Sequence, residues 1–154
     1  MNVNLTSSDV RVRRPRAHEA LLLQLKEEGG FQFMRESLLF AAGLGHHQGR
    51  RIAFEDAGEP IRYETLIEPA HASTLINLLA VAEHPDDPEI LDGARLLERI
   101  RIFEEYANGG LAYLQEEINT RGLPLQALLL AIVADALSSE PGQRSELPNL
   151  LSGL

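Results

Sequence analysis

The run Arg101–Leu114, RIFEEYANGGLAYL, limits what this chain can fold into, because two adjacent glycines sit inside an apolar pattern of helical period. Apolar residues recur at 96, 100, 103, 107, 111, 114 and 118, and that phase passes through Gly109 and Gly110 unbroken. Each glycine inside a helix costs about 1 kcal/mol against alanine. A helix that keeps both needs a kink or a close backbone approach there, whereas a helix that ends there would use Asn108–Gly109 as its C-cap. The continuous phase favours one long helix over 88–120, bent at the glycines.

Pro85-Asp-Asp-Pro88 marks its start, with Asp87 as N-cap, Pro88 at the first position and Glu89 in the first turn. Other helices are predicted over 15–28 (burying Leu21, Leu22 and Leu25), 31–44, 69–83 and 124–138. The 31–44 helix carries two apolar stripes, Phe31/Met34/Leu38/Ala41 and Phe33/Phe40/Leu44, and belongs at the centre of a core. The helix at 69–83 is expected to bury Leu75, Leu78, Leu79 and Ala82, and the last helix Leu125, Leu128, Leu129, Ile132, Val133 and Leu137. A second reading gives one face of 124–138 to an oligomer or a partner, with Asp135 at its rim.

Arg51–Phe54 and Ile61–Tyr63 can pair as a short hairpin. The expected fold is therefore all-α, a compact bundle of about five helices with a short β-hairpin near 51–63. Set beside helices 15–28 and 31–44, that hairpin would make the first half an abbreviated winged helix. Residues 1–10 are expected to be disordered, 11–140 to form a single helical domain with a basic arm at 11–16, and 141–154 to form a loose tail containing Leu147–Leu151.

Composition removes several classes. The absence of cysteine excludes disulfides, a thiolate zinc site and a cysteine nucleophile. The N-terminal residues lack the apolar run of a secretory signal. The longest uncharged apolar stretch, Leu123–Ala134, is 12 residues long and contains a proline, against about 20 for a membrane span. A soluble, cytoplasmic protein without membrane contact is expected. No phosphate loop, dinucleotide-binding glycine pattern, zinc-protease helix or nucleophile elbow occurs.

Net charge is −9, unevenly spread. Residues 1–62 hold nine basic and eight acidic side chains, whereas 63–154 hold five and fifteen. A polyanion should therefore meet the first third and be repelled by the remainder. Arg11-Val-Arg13-Arg14-Pro15-Arg16 is the leading candidate: an extended arginine-rich arm can follow phosphates or enter a minor groove. Arg35, Arg50 and Arg51 would extend this DNA-binding surface if the fold brings them near. The alternative is a solvated tail, or one bound to the protein's own acidic surface.

Other clusters are weaker. His46-His47 offers two ligands without a carboxylate, and in the His84/Asp86/Asp87 cluster Asp87 already serves as a cap, so neither makes a convincing metal site. Glu104-Glu105 and Glu116-Glu117 point about 100° apart on a helix and cannot converge as an acid/base dyad. They read as a solvated face, with Arg101 pairing Glu105. No catalytic residue, cofactor or metal is expected.

The blocks IFEEYANGGL (102–111), FAAGLGHHQGRR (40–51) and GEPIR (58–62) occur in an order that resembles a bacterial family, the DNA-phosphorothioation (Dnd) system-associated protein four family. The resemblance covers roughly residues 11–118 and brings across no active site. It implies a non-enzymatic accessory or regulatory protein of a DNA-phosphorothioation modification or restriction system, a form of anti-phage defence. Within that context the expected partners are DNA at the basic arm and proteins of the modification or restriction machinery at the acidic half, with a homo-oligomer open. The alternative is a protein–protein interaction module, a scaffold or inhibitor of those proteins, that never binds DNA. A metal-dependent hydrolase using His46, His47 or the His84 cluster is a third, weaker reading.

Overall fold

Helix α5, Leu96–Arg121, runs through Gly109 and Gly110 without interruption, and the reason lies in what crosses it. The computed structural model describes residues 9–138. In it, helix α2, Met34–His47, packs chiefly against α5. A Cβ added at Gly110 would stand 2.7 Å from the Ala41 carbonyl carbon and 3.0 Å from the Gly45 nitrogen, and one added at Gly45 would stand 2.8 Å from the Gly110 nitrogen. The glycines are therefore no cap. Gly110 and Gly45 let the two helix backbones touch, while a Cβ at Gly109 would stand 2.6 Å from the Arg50 carbonyl carbon just after α2, so the propensity both glycines of α5 forfeit is offset by close packing.

Helix α5 starts at Leu96, later than the proline signal at 88 suggests. Residues Pro88–Leu91 and Gly93–Arg95 form two 3-10 turns instead, separated by Asp92 in an extended conformation. Asp87 does cap the first turn, accepting from the Glu89 N–H at 3.2 Å. The buried Arg99 side chain donates to the carbonyls of Ile90 and Asp92 at 2.8 and 2.7 Å, holding the break in place. At the other end Gly122 adopts φ 62° and closes the helix in the left-handed region.

Around this pair sit α1 (Glu19–Glu28), α3 (Tyr63–Leu66), α4 (Ala72–Glu83) and α6 (Leu125–Ser138). The all-α expectation holds, with α3 a single additional turn that buries Leu66. Leu21, Leu22, Leu25, Leu38, Ala41, Leu44, Leu79, Phe103, Leu111, Leu114 and Leu128 all lie in one core. Five residues placed in the core by their sequence pattern are exposed: Phe33, Leu78, Ala82, Val133 and Leu137. Helices α4 and α6 lie at the periphery, so each buries only one stripe while its sequence is apolar nearly all round. Phe33, just outside α2, lies beneath the Arg35 guanidinium at 4.3 Å from its ring centre.

The short antiparallel sheet is present, with different partners from those expected. Strand β2, Ile61–Arg62, pairs with β1, Arg11–Val12, which belongs to the basic arm. A further bridge joins Pro15 to Ala57. Residues 51–54 are not available as a strand because they lie against α5: the Ile52 N–H donates to the Glu105 carbonyl at 3.0 Å, and Asn108 Nδ2 donates to the Ile52 carbonyl at 3.0 Å. With β1 preceding α1 and two-residue strands, no wing is formed. Val10, next to β1, is buried, and its carbonyl accepts from the Tyr63 N–H. The remainder of the expected disordered start, residues 1–8, and the expected loose tail at 141–154 lie outside the described residues. Among the described residues no single helix is long and apolar enough to cross a membrane.

Candidate functional site

The arginines singled out by the sequence are held by the protein itself. Arg13 leaves β1 directly over α5, where Glu104, 4 % exposed, takes its backbone N–H at 2.5 Å, its Nε at 3.1 Å and its terminal guanidinium nitrogen at 3.0 Å. The same guanidinium donates to the Phe54 carbonyl and stacks on the Phe54 ring. Burial pushes the Glu104 carboxyl above its usual range, opposed by its bonds from Arg13.

Arg14 is turned inward: its Nε donates to the Glu59 carbonyl at 2.5 Å, it contacts Met34 Sδ, and it lies 3.5 Å from Glu19. Arg16 pairs with Asp56 at 2.8 Å and donates to the Ala57 carbonyl. Arg35 pairs with Glu68 at 3.0 Å.

Arg50 and Glu116 form a two-pronged pair, both prongs at 2.9 Å, with Arg50 also above the Tyr113 ring. That bond holds the Glu116 carboxyl below its usual range. Arg51 bridges Glu105 at 2.8 Å and Glu83 at 3.0 Å. The other Glu83 oxygen accepts from the Tyr106 hydroxyl, and Tyr106 meets the His46 ring edge-on. Arg11 is exposed on β1, directly opposite Arg62.

Arg13, Arg14, Arg16, Arg35, Arg50 and Arg51 are thus ion-paired within the chain, spread over the segment between β1 and α1, helix α2 and the segment after α2. Three of the four carboxylates read as a solvated face of α5 are partners of these arginines, the fourth, Glu117, pairing with Arg121. Glu104, Glu105 and Glu116 receive Arg13, Arg51 and Arg50, and Arg51 takes the place expected for Arg101 on Glu105. Local spacing carried no sign of this, since the partners lie 54 to 91 residues apart.

The remaining candidates are accounted for structurally. Arg95 joins Asp87 at 2.6 Å and Glu98 at 2.8 Å, and holds both carboxyls below their usual range. His84 lies 3.8 Å from Glu98. Asp135 pairs with Arg121. Among the described residues no group of three or more His, Cys, Asp or Glu side chains is placed to hold a metal ion.

These features define a small helical protein whose basic leading segment is woven into its own framework by long-range ion pairs, with excess negative charge left over. The chain belongs to the family described as DNA sulphur modification system-associated protein 4, whose model matches residues 11–150. The match extends across α6, beyond the blocks from which the sequence first suggested it. No curated protein and no solved structure matches the chain.

Proposed function

We propose that this chain serves a DNA sulphur modification system as a non-catalytic interaction module, a scaffold or regulator that engages protein partners rather than the duplex. The family supplies the system. The observation that carries the choice is the pairing of Arg13, Arg14, Arg16, Arg35, Arg50 and Arg51 with carboxylates of the same chain. A DNA contact through them would have to exchange one set of anions for another, and Arg14 and Arg35 are largely covered. With 23 acidic against 14 basic side chains, the net charge is acidic and suits a basic protein surface.

Co-purification with the neighbouring modification and restriction proteins tests this. Complexes should survive nuclease treatment and weaken as salt rises. No complex with any of them, together with DNA binding by the isolated protein, would reject it.

Direct DNA contact is the second reading, favoured by Arg16, whose side chain is 61 % exposed, and by Arg11, exposed five residues before it in the sequence. Exposed ion pairs contribute only about 0–1 kcal/mol each, so phosphates could compete for Arg16. Titration with duplex DNA at two salt concentrations measures it: contact with Z phosphates gives a log–log slope near −0.9Z. Loss of binding in an Arg11→Ala/Arg16→Ala variant would assign the residues.

A further inference from the structure

Helix α6 has two apolar faces on opposite sides. Leu125, Leu128, Leu129 and Ile132 face the core. At about 100° per residue, Ala127, Leu130, Ala134 and Leu137 lie on the opposite side, and all four are exposed, Leu130 by 72 % and Leu137 by 70 %. Their spacing of 3, 4 and 3 is that of a coiled-coil seam. The seam carries no charge. Asp135, the single ionised residue of α6, is held to one side by Arg121 at 3.1 Å. Leu123, 44 % exposed just before the helix, continues the same line.

We propose that this outer seam of α6 pairs with the α6 of a second copy of the chain, antiparallel, about a two-fold axis near residue 132. The alternation of small and large residues selects that occupant and that direction. In an antiparallel pair centred there, Leu130 of one copy faces Ala134 of the other, and Leu137 faces Ala127. Each layer then contains one leucine and one alanine, so the two helices stay evenly spaced. A parallel pair would stack Ala on Ala and Leu on Leu, alternating gaps with bulges. The seam is complementary to itself, as a two-fold contact requires.

Charge leads to the same surface. Two copies each carrying −9 repel one another, and α6 offers an approach with no ionised side chain on the contacting line. Antiparallel alignment also sets the helix dipoles head to tail. A 14-residue helix is about 21 Å long, too short to bury the roughly 800 Å² per partner of a standard interface. The dimer is therefore weak and dissociates on dilution.

Sedimentation or light scattering of the full chain from about 1 µM to about 1 mM spans the affinities such a contact can have. The mass should rise from 17.0 kDa towards twice that value. Leu130→Glu/Leu137→Glu should remain a monomer throughout, with unchanged helix content by circular dichroism. Geometry is tested by cross-linking, which is clean because the chain has no cysteine. A mixture of Leu130→Cys and Ala134→Cys chains should form disulfide-linked heterodimers well in excess of the homodimers each forms alone.

A wild-type monomer at every concentration would overturn the proposal and leave the seam to a helix of another protein. So would a dimer that persists in the double glutamate variant. Preferential 130–130 and 134–134 cross-links would overturn the antiparallel arrangement. None of these outcomes depends on which protein partners the chain serves.

Discussion

Replacing Gly110 with alanine tests the packing logic of the molecule, because helix propensity and packing give opposite signs. Propensity alone assigns a gain of about 1 kcal/mol. In the folded chain the new Cβ would stand 2.7 Å from the Ala41 carbonyl carbon and 3.0 Å from the Gly45 nitrogen, whereas ordinary contact begins near 3.4 Å. The obstacles are backbone atoms of α2, so no side-chain rotation relieves the overlap, and α2 must retreat along its main packing surface. Overpacking usually costs about 1–3 kcal/mol, and an immovable neighbour places this case at the upper end. The net loss should be about 2 kcal/mol, or roughly 4–8 °C in Tm for a chain of this size.

Gly43→Ala is the control. It lies in α2 two residues from Gly45, and its added Cβ meets nothing within 4 Å. It should stabilise by up to about 1 kcal/mol. Thermal and urea unfolding of the two variants beside wild type give the comparison. If Gly110→Ala were neutral or stabilising like Gly43→Ala, the close approach of α2 and α5 would be refuted.

Three further perturbations probe the polar framework. Glu104→Ala should lower stability by about 1–3 kcal/mol, because the partly buried Arg13 N–H loses its acceptor; Glu104→Gln, which keeps an acceptor oxygen, should lose less in urea unfolding, and the reverse order would contradict the bonding described. Glu116, Asp87 and Glu98 have depressed folded-state pKa values, so their contribution is present above the unfolded carboxylate range and is lost as pH falls through the folded values. Glu104 has the opposite sign: its raised pKa favours the folded state below the unfolded value, an advantage lost as pH rises through the folded one. Tm against pH for wild type, Glu116→Gln and Glu104→Gln should show the two trends diverging. Asn108→Ala removes the Nδ2 bond to the Ile52 carbonyl and should cost about 1 kcal/mol, with faster amide exchange confined to residues 50–54; protection equal to wild type would rule out that tether.

Sequence periodicity located the helices because each buries at least one stripe, and it carried α5 through Gly109–Gly110 correctly since the apolar phase never breaks there. It failed where burial is decided by position in the bundle. Leu78 and Leu137 satisfy helical spacing as well as Leu79 and Leu128 do, but α4 and α6 lie at the edge, and nothing local distinguishes their inner from their outer faces. It failed also for the arginines. Arg13 and Glu104 are each ordinary in their own neighbourhoods, and only the tertiary path of β1 across α5 brings them together. The strand pairing was missed for the same reason: β1 meets β2 across some fifty residues, and no turn signal marks it.

The crossing of α2 with α5 also governs how the chain must be made. Helix α2 leaves synthesis with two greasy sides, while the glycine surface that receives it follows about 60 residues later, or about 3–12 s at cellular elongation rates. Through that interval the nascent polypeptide exposes an apolar helix without its main packing neighbour. Slowing translation between codons 48 and 110 should therefore raise the yield of aggregated product.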